Sequence, residues 1–161
     1  MNRIDAILER VNGPTVLDLG CVQPNKDNIG DEDWLHGRLV DAYDRVVGVD
    51  IDERAVRKLN TQGYTVHHAD VEAMNLDIQA DTVVAGELIE HVSNPGLLLD
   101  RIGEHTKPTG NVILTTPNPW AIVHLRRHLN GTFHINDEHT GWYGPQTLRQ
   151  LLDRHGFEVT Q

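Results

Sequence analysis

The segment Thr15-Val-Leu-Asp-Leu-Gly20 is a short apolar run that ends on a glycine, and it decides the fold. The run predicts a buried strand, and the glycine permits a tight turn at its end. Further strands are predicted at Arg45–Asp50, Tyr64–His68, Asp81–Gly86 and Asn111–Thr116, and a sixth is predicted to begin at Phe157.

Helical patterns separate these strands. They are predicted around Glu32–Tyr43, Glu53–Thr61, Ala121–Leu129 and Pro145–His155, and Ser93-Asn94-Pro95 begins another. Alternating strands and helices predict a mostly parallel sheet with helices on both faces, the Rossmann-like three-layer α/β sandwich. No repeat or linker interrupts the pattern, so residues 1–161 are expected to form a single domain.

Composition excludes several classes of protein. The 14 basic and 24 acidic residues give a formal charge of −10, which disfavours a nucleic-acid partner because phosphate binding needs clustered Lys and Arg. The lysine-poor, acidic surface is typical of halophilic proteins. No apolar run is long enough to form a transmembrane segment, and a cytoplasmic location is expected. The single cysteine, Cys21, excludes an internal disulfide and a Cys-based zinc site.

Three polar or glycine features follow three successive strands. Gly20 follows the first strand, Asp50 ends the second, and Asp70 lies just after the third. Ligands of parallel α/β sheets bind at the carboxyl ends of the strands, where a carboxylate can bind ribose hydroxyls. The loop after Gly20 lacks G-x-G-x-x-G, so a ligand without a pyrophosphate fits it better than NAD.

A second motif is Gly86-Glu-Leu-Ile-Glu-His91. If this segment is helical, Glu87, Glu90 and His91 share one face, and with His139 they can bind a divalent cation such as Mg²⁺. The alternative is that Glu87 contacts a cofactor, His91 packs or caps, and Glu90 faces solvent. Without a metal, His91 or His139 would be the candidate general base.

The chain resembles the class I methyltransferases that use S-adenosylmethionine. The match extends over about Thr15–Val159, and its motifs are V-L-D-L-G-C, V-V-G-V-D-I-D, H-A-D-V-E, A-G-E-L-I-E-H-V, G-N-V-I-L-T-T-P-N and L-L-D-R-H-G-F-E-V. The resemblance implies that Gly20 and Cys21 contact the methionine part of the cofactor, Asp50 the ribose, and Asp70 with Val71 the adenine. It adds Asp18, Ile51 and Glu87 to the expected cofactor-binding residues.

The E-x-x-E-H pattern with a later histidine is similar to two groups within this class. They are the ubiquinone-pathway O-methyltransferases and the enzymes that methylate the terminal 2′-hydroxyl of small RNAs, and a looser resemblance connects the chain to glycan-pathway methyltransferases. In the first two groups a cation holds the acceptor hydroxyls. The resemblance implies metal ligands at Glu87, Glu90, His91 and His139, and catalytic roles for Glu90, His91 and His139.

Three features depart from the family pattern. Val22 replaces the usual second glycine, residues 23–33 form an insertion, and the family's seventh strand is expected to be missing from this chain. The expected function is O-methylation of a small-molecule or glycan acceptor, either a sugar hydroxyl or a uronic acid. The alternatives are a regulatory or pseudo-enzyme module that binds S-adenosylmethionine and, less favoured, an NAD-dependent oxidoreductase. The oligomeric state stays open.

Overall fold

In the computed structural model, which describes residues 2–23, 33–132 and 136–160, strands alternate with helices along the chain. The strands are β1 (Thr15–Leu19), β2 (Arg45–Asp50), β3 (Val66–His68), β4 (Ala80–Gly86) and β5 (Thr106–Thr115). The helices are α1 (Arg3–Leu8), α2 (Leu35–Ala42), α3 (Glu53–Thr61), α4 (Pro95–His105), α5 (Ile122–Leu129) and α6 (Pro145–Arg154).

The strands form one parallel sheet in the order β3-β2-β1-β4-β5. β1 lies in the middle, where all five of its residues are buried. The strand order reverses between β1 and β4, which places the point at which ligands bind in such sheets at the ends of these two strands. The expected Rossmann-like α/β fold is confirmed.

Helices cover both faces of the sheet. On one face Leu17 and Val83 pack with Leu99 of α4 in the larger apolar cluster. On the other face Val16 packs with Leu39 of α2 in a second cluster. Alternate side chains of β1 therefore point to opposite layers, as a buried strand between two helical layers requires.

The start of α4 is fixed by polar contacts. The Asn94 side chain accepts a hydrogen bond from the Leu97 N–H at 3.2 Å, and Pro95 occupies the first turn. The Glu72 carboxylate also accepts from the backbone N–H groups of Ser93 (2.7 Å) and Asn94 (3.0 Å). The helix predicted from the Ser93-Asn94-Pro95 signal is confirmed.

The strand predicted to begin at Phe157 does not form within the described residues. The Phe157 N–H instead donates to the Leu152 carbonyl at 3.1 Å and closes the end of α6. A strand needs a paired neighbour, and this segment has none among the residues that the structure describes. None of the described helices is long and apolar enough to cross a membrane.

Candidate functional site

The turn after β1 is tight and depends on Gly20. Gly20 adopts a φ of +70°, in the left-handed region that disfavours side chains, and its N–H donates to the Val49 carbonyl at 2.9 Å. A Cβ at this position would lie 3.0 Å from Cδ1 of Leu88. The backbone turn thus brings the end of β1 against the end of β2, and a side chain at this position would be strained by the backbone conformation and would press on Leu88.

Asp50 joins the ends of β1 and β2. One carboxylate oxygen accepts from the Val22 N–H and the other from the Asp52 N–H, each at 2.9 Å. Asp50 is buried, with 8% of its surface exposed at the end of β2. Because a carboxylate oxygen has more than one lone pair, each can still accept a hydroxyl donor.

Asp70 lies at the same edge of the sheet, just beyond β3. The Ala69 N–H donates to the Asp50 carbonyl at 3.1 Å, and the Asp70 side chain accepts from the Glu72 N–H at 2.9 Å. Ile51 directly follows Asp50 and leaves 69% of its surface exposed, whereas Val71 is buried. Gly20, Asp50 and Asp70 therefore follow three adjacent strands. With these strand ends they form what we call the β1–β3 half of the site.

Asp18 is buried within β1, where its carboxylate shares a 2.9 Å hydrogen bond with Nδ1 of His36 from α2. Burial raises the pKa of the Asp18 carboxyl, and the hydrogen bond with His36 opposes this effect. His36 is not among the site residues predicted from the sequence. The available signal was a histidine between Leu35 and Leu39, on the face of a predicted helix that packs on the sheet.

The polar groups of Cys21 are used within the protein. Its N–H donates to the Val49 carbonyl at 3.3 Å, and its carbonyl accepts from Nε1 of Trp34 at 2.8 Å. The thiol is 4% exposed, and burial raises its pKa. Contact of Cys21 with a cofactor stays a prediction, and in this arrangement it would be a packing contact.

The segment after β4 is a turn in which the His91 N–H donates to the Leu88 carbonyl at 2.9 Å, so the helical turn that would place Glu87 on one face with Glu90 and His91 does not form. The Glu87 N–H donates to the Thr115 carbonyl at 2.9 Å, which keeps this residue on the sheet, and its φ is +56°. Such a conformation is uncommon for a residue with a side chain and marks local strain. Glu87 consequently does not share a helical face with Glu90 and His91, and the ligand cluster described next does not include it.

Glu90, His91 and His139 form a compact cluster in which one potential ligand atom from each lies within 4.8 Å of the others. The imidazole rings of His91 and His139 meet edge to face, with centroids 4.7 Å apart. Thr140 fixes this arrangement: its N–H donates to the Glu90 carbonyl at 2.7 Å, and its hydroxyl donates to the Val92 carbonyl at 2.6 Å. With the ends of β4 and β5, the cluster forms the β4–β5 half of the site.

The Glu90 carboxylate is 1% exposed, and neither oxygen has a hydrogen-bond partner among the described residues. Burial, followed by the negative charge of Glu90, raises the pKa of Tyr143. An unpaired buried carboxylate is unfavourable, and native proteins commonly pair such groups with a ligand or a cation. One carboxylate and two imidazoles are a chemically suitable donor set for a divalent cation.

An open cleft of about 660 Å³ extends from the end of β5 along α6. Thr116, Asn118 and Tyr143 are among the residues that line it. Trp142, which is 36% exposed, contacts the ring of His124 in α5 with centroids 5.1 Å apart. The β4–β5 half is therefore bordered by aromatic groups and by space for a small molecule. The predicted insertion at residues 23–33 lies outside the described residues except for its two ends.

Comparisons with known proteins identify the family of the chain. The family profile described as "Methyltransferase domain" matches residues 2–161. A probable S-adenosylmethionine-dependent methyltransferase of Mycolicibacterium smegmatis is 26% identical over 95% of this chain and 55% of its own length. The ubiquinone biosynthesis O-methyltransferase of Azorhizobium caulinodans is 32% identical over 69% of this chain and 43% of its own length.

The fold is also shared with solved structures. An S-adenosylmethionine-dependent methyltransferase from Archaeoglobus fulgidus superposes with a TM-score of 0.72 and 22% identity, over 97% of this chain and 66% of that one. The chain spans about half the length of the curated relatives it matches.

Proposed function

Because the chain belongs to the methyltransferase domain family, we propose that it transfers a methyl group from S-adenosylmethionine to a hydroxyl group of a small-molecule or glycan acceptor. The observation that carries the choice of a hydroxyl is the unpaired, buried carboxylate of Glu90 beside His91 and His139. A hydroxyl acceptor must lose its proton, and this cluster offers groups able to accept one.

The β1–β3 half is the proposed cofactor site. Both oxygens of Asp50 would accept from the ribose hydroxyls, and Asp70 would accept from the adenine amine. The exposed Ile51 and the buried Val71 would border the adenine ring. Gly20 would let the backbone approach the methionine part, with the negative charge of Asp18 nearby. The positions of these residues after three adjacent strands support this assignment.

The reaction proposed is an in-line displacement. The acceptor oxygen forms a bond to the methyl carbon as the bond between that carbon and sulfur breaks, leaving S-adenosylhomocysteine as a neutral thioether. The hydroxyl proton passes to Glu90 or to a neutral imidazole of His91 or His139. Holding donor and acceptor in line supplies much of the rate enhancement in such reactions.

Glu90, His91 and His139 also fit a divalent cation such as Mg²⁺ or Mn²⁺, which would lower the pKa of an acceptor hydroxyl when bound. The proposal that these three residues bind a cation rests on the unpaired carboxylate of Glu90. Glu87 is not part of the proposed ligand set. Two nitrogen donors suit Mn²⁺ better than Mg²⁺, so a preference for Mn²⁺ is expected.

A sugar hydroxyl is the preferred acceptor. The alternative acceptor, a uronic carboxylate, needs no base and would leave the proton-accepting groups of Glu90, His91 and His139 without a role. The partly exposed ring of Trp142 and the ring of Tyr143 offer faces on which a sugar can stack.

The test is a methyl-transfer assay with labelled S-adenosylmethionine and a panel of sugar, catechol and uronic-acid acceptors, paired with calorimetry of S-adenosylhomocysteine binding. We expect binding, and turnover on hydroxyl acceptors that increases with added Mn²⁺ or Mg²⁺. Failure to bind either S-adenosyl compound would overturn the proposal. Binding without turnover of any acceptor would favour the alternative, a regulatory or pseudo-enzyme module that binds S-adenosylmethionine. Turnover of uronic acids alone would show that the methyl group is transferred to a carboxylate and not to a hydroxyl. Equal turnover with and without a chelator would show that the reaction does not use a divalent cation.

A further inference from the structure

A buried polar pair, His36 and Asp18, lies next to the proposed cofactor loop. His36 is 0% exposed and Asp18 is 1% exposed, and Nδ1 of the imidazole lies 2.9 Å from Oδ2 of the carboxylate. The other ring nitrogen, Nε2, has no hydrogen-bond partner among the described residues. Burying two such groups is unfavourable unless they act on each other or on a ligand.

We propose that His36 is a positioning residue: its hydrogen bond orients the Asp18 carboxylate next to the loop that binds the methionine part of the cofactor. The inference rests on the proposed function, since it requires that S-adenosylmethionine binds in the β1–β3 half. It assigns to α2 a direct part in building that site.

The first support is electrostatic. S-adenosylmethionine carries a positive sulfonium and a positive ammonium group, which an ionised carboxylate attracts and a neutral carboxyl does not. Burial favours the neutral form of Asp18, while the hydrogen bond with His36 favours the ionised form. Removing the donor therefore weakens the attraction without removing the carboxyl group itself.

The second support is a hydrogen bond that connects the start of α2 to the loop after β1. Two residues before His36, Trp34 donates through Nε1 to the Cys21 carbonyl at 2.8 Å, and its ring is 1% exposed. The start of α2 is thus bonded to the strand through Asp18 and to the following loop through Cys21. These two bonds orient the imidazole relative to the loop.

The third support is the space provided by Gly48 in β2. A Cβ there would lie 2.8 Å from Cε1 of His36 and 2.7 Å from Sγ of Cys21. Both distances are too short for real contacts, so the absence of a side chain at this position makes room for the imidazole. The imidazole of His36 and the thiol of Cys21 both pack against the bare backbone of Gly48.

The test compares two conservative substitutions. The carboxamide of His36→Asn can place an N–H where Nδ1 stands, whereas that of His36→Gln reaches the position of Nε2 and loses the bond to Asp18. We expect His36→Gln to raise the Kd for S-adenosylhomocysteine and the KM for S-adenosylmethionine about tenfold, because a hydrogen bond to a charged group is lost. His36→Asn should stay within about threefold of wild type, and kcat should be unchanged in both.

The matched control is His105, another buried histidine, which bonds to the backbone at Arg101 and Leu76 and lies in α4. His105→Gln should lower the melting temperature without changing the Kd. Asp18→Asn provides a second measurement if His36→Gln does not fold: it should weaken binding about tenfold, since it removes the charge that the cofactor meets.

The outcomes separate the two proposals. If wild type fails to bind any S-adenosyl compound, the proposed function fails first. If wild type binds but His36→Gln has an unchanged Kd, or if His36→Asn loses as much affinity as His36→Gln, the positioning role is overturned. A rise in Kd that His105→Gln reproduces would mean general destabilisation and would also overturn it.

Discussion

At the ends of β1 to β3 the carboxylates of Asp18 and Asp50 are hydrogen bonded within the protein, whereas beside β4 and β5 the carboxylate of Glu90 has no partner among the described residues. The β1–β3 half is thus held in shape by its own contacts. In the β4–β5 half, Thr140 fixes the backbone, but the Glu90 carboxylate is left without a hydrogen-bond partner among the described residues. The contrast indicates that the β1–β3 half is already shaped for its ligand before binding. The β4–β5 half, in contrast, needs a bound ligand to satisfy the Glu90 carboxylate.

The largest effect is expected in the β1–β3 half, from a substitution of Asp50. Asp50→Ala removes two proposed hydroxyl contacts and also releases the Val22 N–H, so we expect the Kd for S-adenosylhomocysteine to rise more than about a hundredfold. Calorimetry provides the measurement. Asp77→Ala is the control, because Asp77 is exposed and lines a different cleft, at the opposite end of β2. An unchanged Kd in Asp50→Ala would contradict the ribose assignment.

Glu90→Gln tests the other half. We expect kcat to fall about a hundredfold to a thousandfold, because a proton acceptor and proposed cation ligand is lost, while the Kd for S-adenosylhomocysteine stays unchanged. The melting temperature should not fall, since the substitution replaces a buried unpaired charge by a neutral group. A variant with wild-type kcat would place Glu90 outside the reaction.

Thr140→Val should have a smaller effect in the same half. It removes the hydroxyl bond to the Val92 carbonyl and loosens the segment that carries His139, so kcat should fall about fivefold with cofactor affinity intact. Thr147→Val serves as the control, since that hydroxyl bonds the Gly144 carbonyl at the exposed start of α6. Equal effects of the two substitutions would show that the tether does not position His139.

The smallest effect expected is on stability as a function of pH. Burial raises the pKa of Asp18 above its ordinary value of 3.8, so the folded protein binds this proton more tightly than the unfolded chain. The stability contributed by the protonated carboxyl is present below that value and is lost as the pH rises through the folded-state pKa. Asp18→Asn should therefore gain free energy of unfolding relative to wild type as the pH rises from about 4. Urea unfolding at several pH values measures the free energy of unfolding of Asp18→Asn minus that of wild type, and a difference that falls with rising pH would contradict the prediction.

The sequence predicts one half of the site better than the other, for a physical reason. Gly20, Asp50 and Asp70 could be placed from sequence because parallel strands end at a common edge, so position along the chain determines position in space. Glu87 could not, because its conformation depends on hydrogen bonds to Thr115 of a neighbouring strand. His139 was joined to His91 only through the chemistry of possible cation ligands and a family resemblance, since no sequence spacing brings the two together, and in the structure the Thr140 contacts hold the two rings side by side.

His36 shows a different limit of sequence reasoning. Its role depends on the space at Gly48 and on the carboxylate of Asp18, and both lie on other elements. No spacing rule connects these three residues. The strand expected from Phe157 is wrong for a related reason: its apolar pattern is real, but a strand also needs a paired neighbour, and no described strand pairs with this segment.

The buried ring of Trp34 gives the protein an internal optical probe. An indole shielded from water emits at shorter wavelength than a hydrated one, and Trp34 is 1% exposed while Trp120 is 78% exposed. Because Trp34 is bonded to the carbonyl of Cys21, any displacement of that loop would shift its emission to longer wavelength. Intrinsic fluorescence can thus register events in the β1–β3 half without an attached dye.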